Sequence, residues 1–455
     1  MKQTVFTICS ANYLPTVKVL MDSLSRYEPA TRRVLVLVEH DYAPDDAEAL
    51  GRLLDCEILL CRDLALPRER QMAFQYDITE FNTAVKPYVF QRLFDQGDEA
   101  VIYLDPDIRL YAPLSDLWEQ LRHHGAVVTP HLTAPLPDDG LSPSNENMAR
   151  CGQFNFGFVG FNQSPAARRF IDWWAQRLAD HCIFHPHHFY FVDQFYGAMV
   201  ASFIPNIKVW HHQGYNYAYW NAPQRELVRD GQGWNTLDGP LVFFHFSGFP
   251  HDDPLALSRH QNRYRAPEGS PIAELALEYA AEVAANAQSV QAFVQAYSFG
   301  AYSDGVVISA FERHAYRDLP QAEKDLLGDP FNPVARATLR RYEDIADVGG
   351  SASGLLWQLW QQRQARQGVE QSLLTAEQSL KDVERLVYEA RAETEAVREQ
   401  AERDKQEAAE VYAQREAALN DKVNEVQGYL DNVVHSKGYR FIRWVTEPLR
   451  LIRGR

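Results

Sequence analysis

The stretch that decides the fold is AVIYLDPDIRLY, residues 100–111. Its first five residues are apolar and predict a buried strand that ends at two carboxylates, Asp105 and Asp107. Residues two apart on an extended backbone point to the same side, so both carboxylates can face one ligand. Pro106 has no backbone N–H to donate, which places the pair at the strand's carboxyl end, where open α/β sheets bind ligands.

A pair of carboxylates at this position predicts a divalent cation site. Two hard oxygen donors suit Mg²⁺ or Mn²⁺, which completes its shell with water and substrate phosphates. The Asp-X-Asp spacing is typical of glycosyltransferases that use nucleotide sugars. The alternative is an ordinary turn at the end of a strand, because acidic residues and proline also favour turns.

Composition excludes some classes of protein. The chain has 455 residues, 46% of them hydrophobic, which predicts two or more domains with a large core. Its net charge of −16 argues against nucleic acid as a partner, because phosphate binding needs a basic surface. The five cysteines are scattered, without Cys-X-X-Cys spacing, and indicate reduced packing residues in a cytoplasmic protein. The sequence has no run of eighteen consecutive apolar residues, so no segment is predicted to span a membrane.

The organisation changes along the chain. Strand and helix signals alternate over residues 1–265, which predicts an α/β fold with a mostly parallel sheet and helices on both faces. An alanine- and glutamate-rich helical accessory region follows at 266–350. Apolar residues at heptad spacing predict a coiled coil over 355–434, the alternative being a lone solvated helix. The basic amphipathic tail 435–455 predicts either contact with an anionic membrane surface or a cap on the coiled coil.

Several motifs besides the carboxylates occur in a recognisable order. They are FTICSANYLPTVKVLMDSL (6–24), FNTAVKPYVF (81–90), YLDPDI (103–108), FNFGFVGFN (154–162), VDQFYGAMV (192–200) and FFHFSGF (243–249). Together they resemble the family 8 glycosyltransferases, the glycogenin and bacterial galactosyltransferase type, over about residues 1–265. The resemblance implies the metal-dependent, Rossmann-like fold called GT-A, and a nucleotide sugar as donor.

The resemblance implies donor-binding roles in the first two motifs. In the family, the opening strand and helix line the nucleotide, which assigns Asn12 and Tyr13 to donor binding. Lys86 stands about twenty residues before the carboxylates, where the family often keeps a lysine or arginine. The alternative for Lys86 is a surface residue just before a helix.

The next two motifs imply contacts with the donor sugar. Asn155 and Gly157 match the family's Asn-X-Gly strand beside the sugar. Asp193 and Gln194 match its Asp-Gln motif and would face the reacting carbon, as the catalytic pair. The alternative for Asp193 is an acid stabilised at a helix N-terminus.

The last motif implies the third protein ligand to the metal. His245 matches the histidine of the family's His-Phe-X-Gly motif and would hold the cation together with Asp105 and Asp107. A neutral histidine nitrogen fits Mn²⁺ better than Ca²⁺. Gly248 would let the backbone approach the donor closely. The alternative for His245 is a hydrogen-bonded histidine in a strand.

One departure from the family pattern affects the diphosphate. The family places a lysine soon after the last motif, whereas acidic residues follow here, and the next basic residues include Arg259 and Arg263. We expect one of these arginines to replace the lysine, because guanidinium binds phosphate bidentately. Tyr217, Tyr219 and Trp220 are the candidates for acceptor binding, since aromatic rings pack on sugar rings; ordinary core packing is the alternative.

The predicted function is transfer of a hexose from a nucleotide sugar, UDP-linked and with retention of configuration, to a glycan or lipid-linked acceptor. The segment pattern of residues 296–345, together with the basic tail, resembles what accompanies bacterial polysaccharide glycosyltransferases, which implies a role in surface polysaccharide synthesis, as in O-antigen or capsule. We expect a cytoplasmic protein, peripheral at the cell membrane, that forms homo-oligomers or recruits a partner enzyme through the coiled coil. The alternatives are an inactive glycosyltransferase-like scaffold and a sugar nucleotidyltransferase, although SANYLP after the first strand lacks the glycines that the latter needs.

Overall fold

The structure is a computed structural model that describes residues 2–185, 190–231, 233–344 and 408–435. The chain forms two compact units, Met1–Leu339 and Arg340–Arg455. The described strands are β1 (Gln3–Cys9), β2 (Arg32–Leu37), β3 (Glu57–Leu60), β4 (Ala100–Leu104), β5 (Ile108–Leu110), β6 (Ala126–Pro130), β7 (Phe154–Asn162), β8 (Phe184–His185), β9 (Tyr190–Phe191), β10 (Ile207–Val209), β11 (Tyr217–Ala218), β12 (Val228–Asp230), β13 (Gly233–Thr236), β14 (Gly239–Pro240) and β15 (Phe243–His245). The described helices are α1 (Leu14–Tyr27), α2 (Pro44–Leu54), α3 (Glu69–Gln75), α4 (Ile78–Ala84), α5 (Lys86–Asp95), α6 (Ser115–His123), α7 (Asn145–Cys151), α8 (Pro165–His181), α9 (Val192–Gly197), α10 (Val200–Phe203), α11 (Pro271–Val290), α12 (Ala310–Asp318), α13 (Gln321–Leu327), α14 (Pro333–Asp344) and α15 (Ala408–Val434).

The main sheet has seven strands in the order β10-β6-β7-β4-β1-β2-β3. Neighbouring strands pair in parallel except at β7, which runs antiparallel to both β4 and β6. The predicted α/β class with a mostly parallel sheet is therefore confirmed. The order reverses between β1 and β4, and such a reversal opens a ligand-binding crevice at the carboxyl ends of the strands.

Helices cover both faces of this sheet. On one face, apolar residues of α1, α2 and α6 share a buried cluster with β1, β2 and β4. On the other face, Phe90 of α5 packs edge-to-face on Phe6 and Phe161, and Phe170 of α8 also contacts Phe161. The middle strands are buried on both sides, which explains why residues 34–38 and 100–104 read as continuous apolar runs.

A second, three-stranded sheet in the order β11-β15-β5 stands beside the first. Only three residues separate the end of β4 from the start of β5 at Ile108. Strand β5 pairs antiparallel with β15, so that His245 lies opposite Ile108. Strand β15 lies within the motif 243–249, and its partner β5 has only three residues, too few to give a periodic signal of its own.

Helix α11, beyond residue 265, packs on this second sheet. Tyr279 stacks on Phe246 with 3.6 Å between ring centroids, and Ile272 and Val19 of α1 belong to the same buried cluster. The predicted domain boundaries at 265 and 350 stay predictions.

The second unit is described at residues 340–344, which are the end of α14, and at helix α15 with the following His435. The predicted coiled coil over 355–434 lies mostly outside the described residues, and its pairing stays a prediction. The predicted basic tail lies outside them except for His435. Among the described residues, none of the helices is long and apolar enough to cross a membrane.

Candidate active site

The candidate site lies at the carboxyl end of the sheet, where β1 and β4 part. Asp105 and Asp107 follow β4, and residues Ser10 to Tyr13 follow β1. The Asp105 N–H donates to the carbonyl of Gly157 at 2.7 Å, which fixes the end of β4 against β7. The N–H of Phe246 donates to the carbonyl of Asp107 at 2.9 Å, which fixes the second carboxylate against β15. Backbone pairing therefore positions both carboxylates.

His245 meets these carboxylates from the second sheet. Its Nε2 lies 3.1 Å from Asp107 Oδ1 and 3.5 Å from Asp105 Oδ2. One ligand atom from each of the three side chains lies within 4.8 Å of the others. Tyr103 donates its hydroxyl hydrogen to Asp105 Oδ1, leaving Oδ2 as the oxygen that faces the imidazole.

The electrostatics of this cluster favour a bound cation. Burial raises the pKa of Asp105, and Lys86 and His245 oppose that effect. Burial by itself would lower the pKa of His245, but Asp107 and Asp105 outweigh it and raise that pKa. In the described part of the chain, Asp107 Oδ1 is buried with no hydrogen-bond donor other than the imidazole. Two carboxylates and a neutral imidazole nitrogen would face each other as acceptors, so a proton or a metal must lie between them, and the oxygen–oxygen–nitrogen set fits Mn²⁺ or Mg²⁺.

Gly157 supplies the room for this cluster. A Cβ atom on Gly157 would lie 2.3 Å from His245 Cε1, 2.6 Å from Asp105 Oδ2 and 2.8 Å from Asn155 Oδ1. Any larger residue would push the imidazole or the carboxylate out of place, so the glycine is required by a close approach of side chains.

A buried ion pair adjoins the cluster. Lys86 Nζ donates to Asp193 Oδ2 at 2.5 Å and to the carbonyl of Phe156 at 2.9 Å, and it lies 4.1 Å from the centroid of the Tyr103 ring. The two side chains are 1% and 2% exposed, so Lys86 is not a surface residue. Burial raises the pKa of Asp193 to about 6 against the lowering effect of Lys86. Asp193 also lies in the first turn of α9, which is the position of the alternative interpretation, an acid stabilised at a helix N-terminus.

Gln194 and Asn155 belong to a network of amides. The N–H of Phe156 donates to Gln194 Oε1 at 2.7 Å, and Asn155 Nδ2 donates to the same oxygen at 3.3 Å. Gln194 Nε2 donates in turn to the carbonyl of Cys151 at 2.9 Å. These contacts hold α9 to β7 beside the carboxylates.

Tyr13 and Arg259 lie on the open side of the site. Tyr13 is 39% exposed, and its pKa is raised by desolvation, then by the nearby Asp107 and Asp105, while Arg259 opposes the shift. The Arg259 side chain is 65% exposed, and its Nη2 lies 3.6 Å from Asp252 Oδ1. The backbone N–H of Arg259 donates to the carbonyl of Gly248. The neighbouring Asn12 is exposed as well. This side of the cluster is therefore accessible and carries one guanidinium.

Arg263, the second predicted phosphate ligand, is engaged elsewhere. It donates to both oxygens of Asp139 at 2.7 and 2.8 Å, and to the carbonyls of Pro137, Leu141 and Pro143. Its guanidinium ties down the loop between β6 and α7, and these contacts use all of its N–H groups except one on Nη1, so it cannot bind a phosphate bidentately without releasing the loop.

The aromatic candidates also divide. Tyr217 is buried: its ring stacks on Phe244, and its hydroxyl donates to the carbonyl of Arg225, so the structure places it in the core rather than at an acceptor. Trp220 is buried with its ring edge-on to His245 at 5.2 Å. Tyr219 is partly exposed.

Gly248 serves packing as well as turn geometry. Its φ is +64°, and a Cβ there would lie 2.4 Å from the His260 ring. The close approach at this position is therefore made by His260.

Two site residues were missed by sequence reasoning. Asn216 is fully buried and contacts His245, and His131 is buried beside Asn155 with its pKa lowered to about 4 by burial. Asn216 lies in the aromatic segment YNYAYWN (215–221), where two asparagines, Asn216 and Asn221, stand among aromatic residues and no pattern tells them apart. His131 follows the end of β6, at the same edge of the sheet as Asp105.

No family model and no curated protein matches the sequence. Solved structures that match include apo mouse xyloside xylosyltransferase 1, which is 18% identical with a TM-score of 0.34; the match covers 54% of this chain and 97% of the mouse chain. The galactosyltransferase LgtC, in complex with donor and acceptor sugar analogues, is 16% identical with a TM-score of 0.35, and the match covers 61% of this chain and 95% of LgtC. The glycosyltransferase GlyE of Streptococcus pneumoniae is 15% identical with a TM-score of 0.38, and the match covers 65% of this chain and 66% of GlyE. Because all three scores are below 0.5, the function has to be inferred from the site.

Proposed function

We propose that this chain is a metal-dependent glycosyltransferase of the GT-A type, which moves a hexose from a UDP-linked sugar with retention of configuration. One observation supports this most: Asp105, Asp107 and His245 converge within 4.8 Å at the crevice between β1 and β4. The family 8 motifs, which occur in order over residues 1–265, support the choice of a nucleotide sugar as donor.

In this proposal Asp105, Asp107 and His245 hold Mn²⁺ or Mg²⁺. The bound cation would neutralise the negative charge that develops on the diphosphate as it leaves. Tyr103 orients one carboxylate by its hydrogen bond, and Gly157 keeps the space in which the three side chains meet.

The donor would lie across the open side of the cluster. Asn12 and Tyr13 would contact the nucleotide, because they follow β1 at the crevice and Tyr13 is close enough to both carboxylates to be influenced by them. Arg259 would bind the diphosphate, since it is exposed and near Tyr13, whereas the guanidinium of Arg263 is already occupied.

Asp193 and Gln194 would face the transferred sugar. Lys86 holds the Asp193 carboxylate ionised and oriented, so that its charge can stabilise a cation-like anomeric carbon or bind a sugar hydroxyl. Gln194 and Asn155 would provide fixed amide groups beside it.

The acceptor and the cellular setting rest on the sequence alone. Tyr219 and Trp220 are the remaining aromatic candidates for a glycan or lipid-linked acceptor in bacterial surface polysaccharide synthesis. The predicted coiled coil at 355–434 would set the oligomeric state or recruit a partner enzyme. The basic segment at 435–455 would hold the protein on the cytoplasmic, anionic face of the membrane.

The test combines binding and turnover. Metal-stripped protein is mixed with UDP, GDP, ADP or CDP, with and without Mn²⁺, and its thermal unfolding is followed; a ligand at 100 times its Kd adds about 2.7 kcal/mol of stability. We expect stabilisation by UDP that requires Mn²⁺, and Mn²⁺-dependent release of UDP from a UDP-hexose.

Two variants make this test specific. Asp107→Asn should lose both effects, whereas Asp22→Asn, which removes an exposed acid paired with Lys18 on α1, should keep them. No nucleotide stabilisation and no metal-dependent nucleotide release from any nucleotide sugar would reject the proposal and favour the inactive scaffold.

A further inference from the structure

Asn216 contacts the imidazole of His245 on the side away from the carboxylates. Its Oδ1 lies 3.3 Å from His245 Nδ1, and its Nδ2 donates to Thr129 Oγ1 at 2.8 Å and to Asn155 Oδ1 at 3.0 Å. The residue is fully buried and adopts the left-handed conformation, with φ of 51°. Asparagine tolerates this conformation better than most residues do.

The orientation of these amides follows from the backbone of β7. The N–H of Gly157 donates to Asn155 Oδ1 at 3.1 Å, and the N–H of Phe156 donates to Gln194 Oε1 at 2.7 Å. A backbone N–H can only donate, so both side-chain atoms must be oxygens. Asn155 Nδ2 then donates to Gln194 Oε1, which is consistent with the same orientation.

The same reasoning extends to the histidine. Because Asn155 Oδ1 is an acceptor, the atom of Asn216 that faces it must be the amide nitrogen. Asn216 Oδ1 therefore faces His245 Nδ1, which must carry a hydrogen to make that contact. The unprotonated nitrogen of a neutral His245 is then Nε2, the atom that faces Asp107 and Asp105.

We propose that Asn216 is a positioning residue, which selects the His245 tautomer that presents the Nε2 lone pair to a divalent cation. This inference rests on the proposed metal-dependent function and extends it to the residue behind the ligand. A metal-binding histidine commonly donates its other N–H to a fixed acceptor, and loss of that acceptor typically weakens metal binding about 10- to 100-fold.

Three variants test the inference by Mn²⁺ binding, measured from the EPR signal of free Mn²⁺ without any sugar donor. Asn216→Gly removes the acceptor and accepts the positive φ, so we expect the Kd for Mn²⁺ to rise about 10- to 100-fold. Asn216→Asp keeps an oxygen towards Nδ1 but turns its second oxygen to the acceptor Asn155 Oδ1, so its Mn²⁺ affinity should be higher than that of Asn216→Gly and lower than that of the wild type. Thr129→Val is the matched control: its hydroxyl can donate or accept and so imposes no orientation, and the affinity should stay close to that of the wild type.

The tautomer itself is read by NMR in ¹⁵N-histidine-labelled wild-type protein with saturating, diamagnetic Mg²⁺. The His245 signal, assigned by its loss in His245→Gln, should show hydrogen on Nδ1 and none on Nε2. Hydrogen on Nε2 would overturn the inference even if Asn216→Gly did not fold. A folded Asn216→Gly with unchanged Mn²⁺ affinity would overturn it too.

The outcomes separate this inference from the proposed function. Mn²⁺ binding that depends on Asn216, in a protein that releases nucleotide from no nucleotide sugar, would reject the proposed function and leave the role of Asn216 standing. A wild-type protein that binds no divalent cation would reject both.

Discussion

Replacing Gly157 with alanine is expected to disrupt the metal site with little effect on the rest of the fold. The new Cβ would lie 2.3 Å from His245 Cε1 and 2.6 Å from Asp105 Oδ2, whereas ordinary contacts begin at 3.4 Å. One or both side chains must therefore move by about 1 Å, several times the roughly 0.2 Å that a metal site tolerates. A misplacement of about 1 Å costs about 100-fold in rate, which corresponds to about 2.7 kcal/mol in the activation barrier.

The assay compares Gly157→Ala with Gly160→Ala on the same strand. At Gly160 the new Cβ would lie 3.0 Å from Leu121 Cδ1, the end of a flexible side chain, so this control carries the same change without touching the site. Mn²⁺ affinity is measured by EPR, nucleotide release by initial rates, and the free energy of unfolding by urea titration. In the urea titrations, the overpacking caused by the added methyl group should lower the free energy of unfolding of either variant by about 1–3 kcal/mol. If Gly157→Ala bound Mn²⁺ as tightly as Gly160→Ala, the three ligands could not converge beneath β7 as described.

Three further outcomes are expected. Asp105→Asn should lose the rise in Tm that Mn²⁺ produces in the wild type, measured by differential scanning fluorimetry; an equal rise would show that the cation binds elsewhere. Arg259→Ala should raise the donor KM and leave the Tm unchanged, because the Arg259 side chain is exposed. Arg263→Ala should lower the free energy of unfolding by about 2–3 kcal/mol, because it removes the hydrogen bonds that hold the loop between β6 and α7. The reverse result would exchange the roles of the two arginines. Since the pKa of Asp193 is raised to about 6 in the folded state, its contribution to stability is present at low pH and falls by about 3 kcal/mol as the pH rises from about 4 to about 6. Urea titrations from pH 4 to 7 should show a smaller decline in Asp193→Asn than in the wild type, and identical profiles would refute the raised pKa.

The local part of the site could be predicted from the sequence. The run 100–104 and the spacing of Asp105 and Asp107 specify a buried strand with two carboxylates on one side, and neither inference needs distant residues. The family motifs added His245 from far along the chain. The way in which His245 arrives could not be predicted, because β15 pairs with β5, and a strand of three residues has no periodicity to reveal its partner.

Contacts made by long polar side chains could not be predicted either. Lys86 was expected near the carboxylates, with an exposed lysine as the alternative, but nothing in the sequence pairs it with Asp193, which is 107 positions away. Arg259 and Arg263 looked equivalent because they are four residues apart in a basic segment. Their difference is decided by Asp139 and the carbonyls of another loop, which no local pattern includes.

The reversed strand β7 explains why these separate groups meet. Because β7 runs antiparallel to β4, its first residues lie at the carboxyl end of β4, with Leu104 opposite Phe158. There the backbone of Phe156 and Gly157 makes four contacts: the Phe156 carbonyl accepts from Lys86, the Gly157 carbonyl from Asp105, and the two N–H groups fix Gln194 and Asn155. A parallel strand in this position would end there instead of beginning, and would present other backbone groups. It follows that substitutions at 156 and 157 that move the backbone should weaken Mn²⁺ affinity and lower kcat together, whereas substitutions at 160, four residues inside the sheet from 156, should change stability alone.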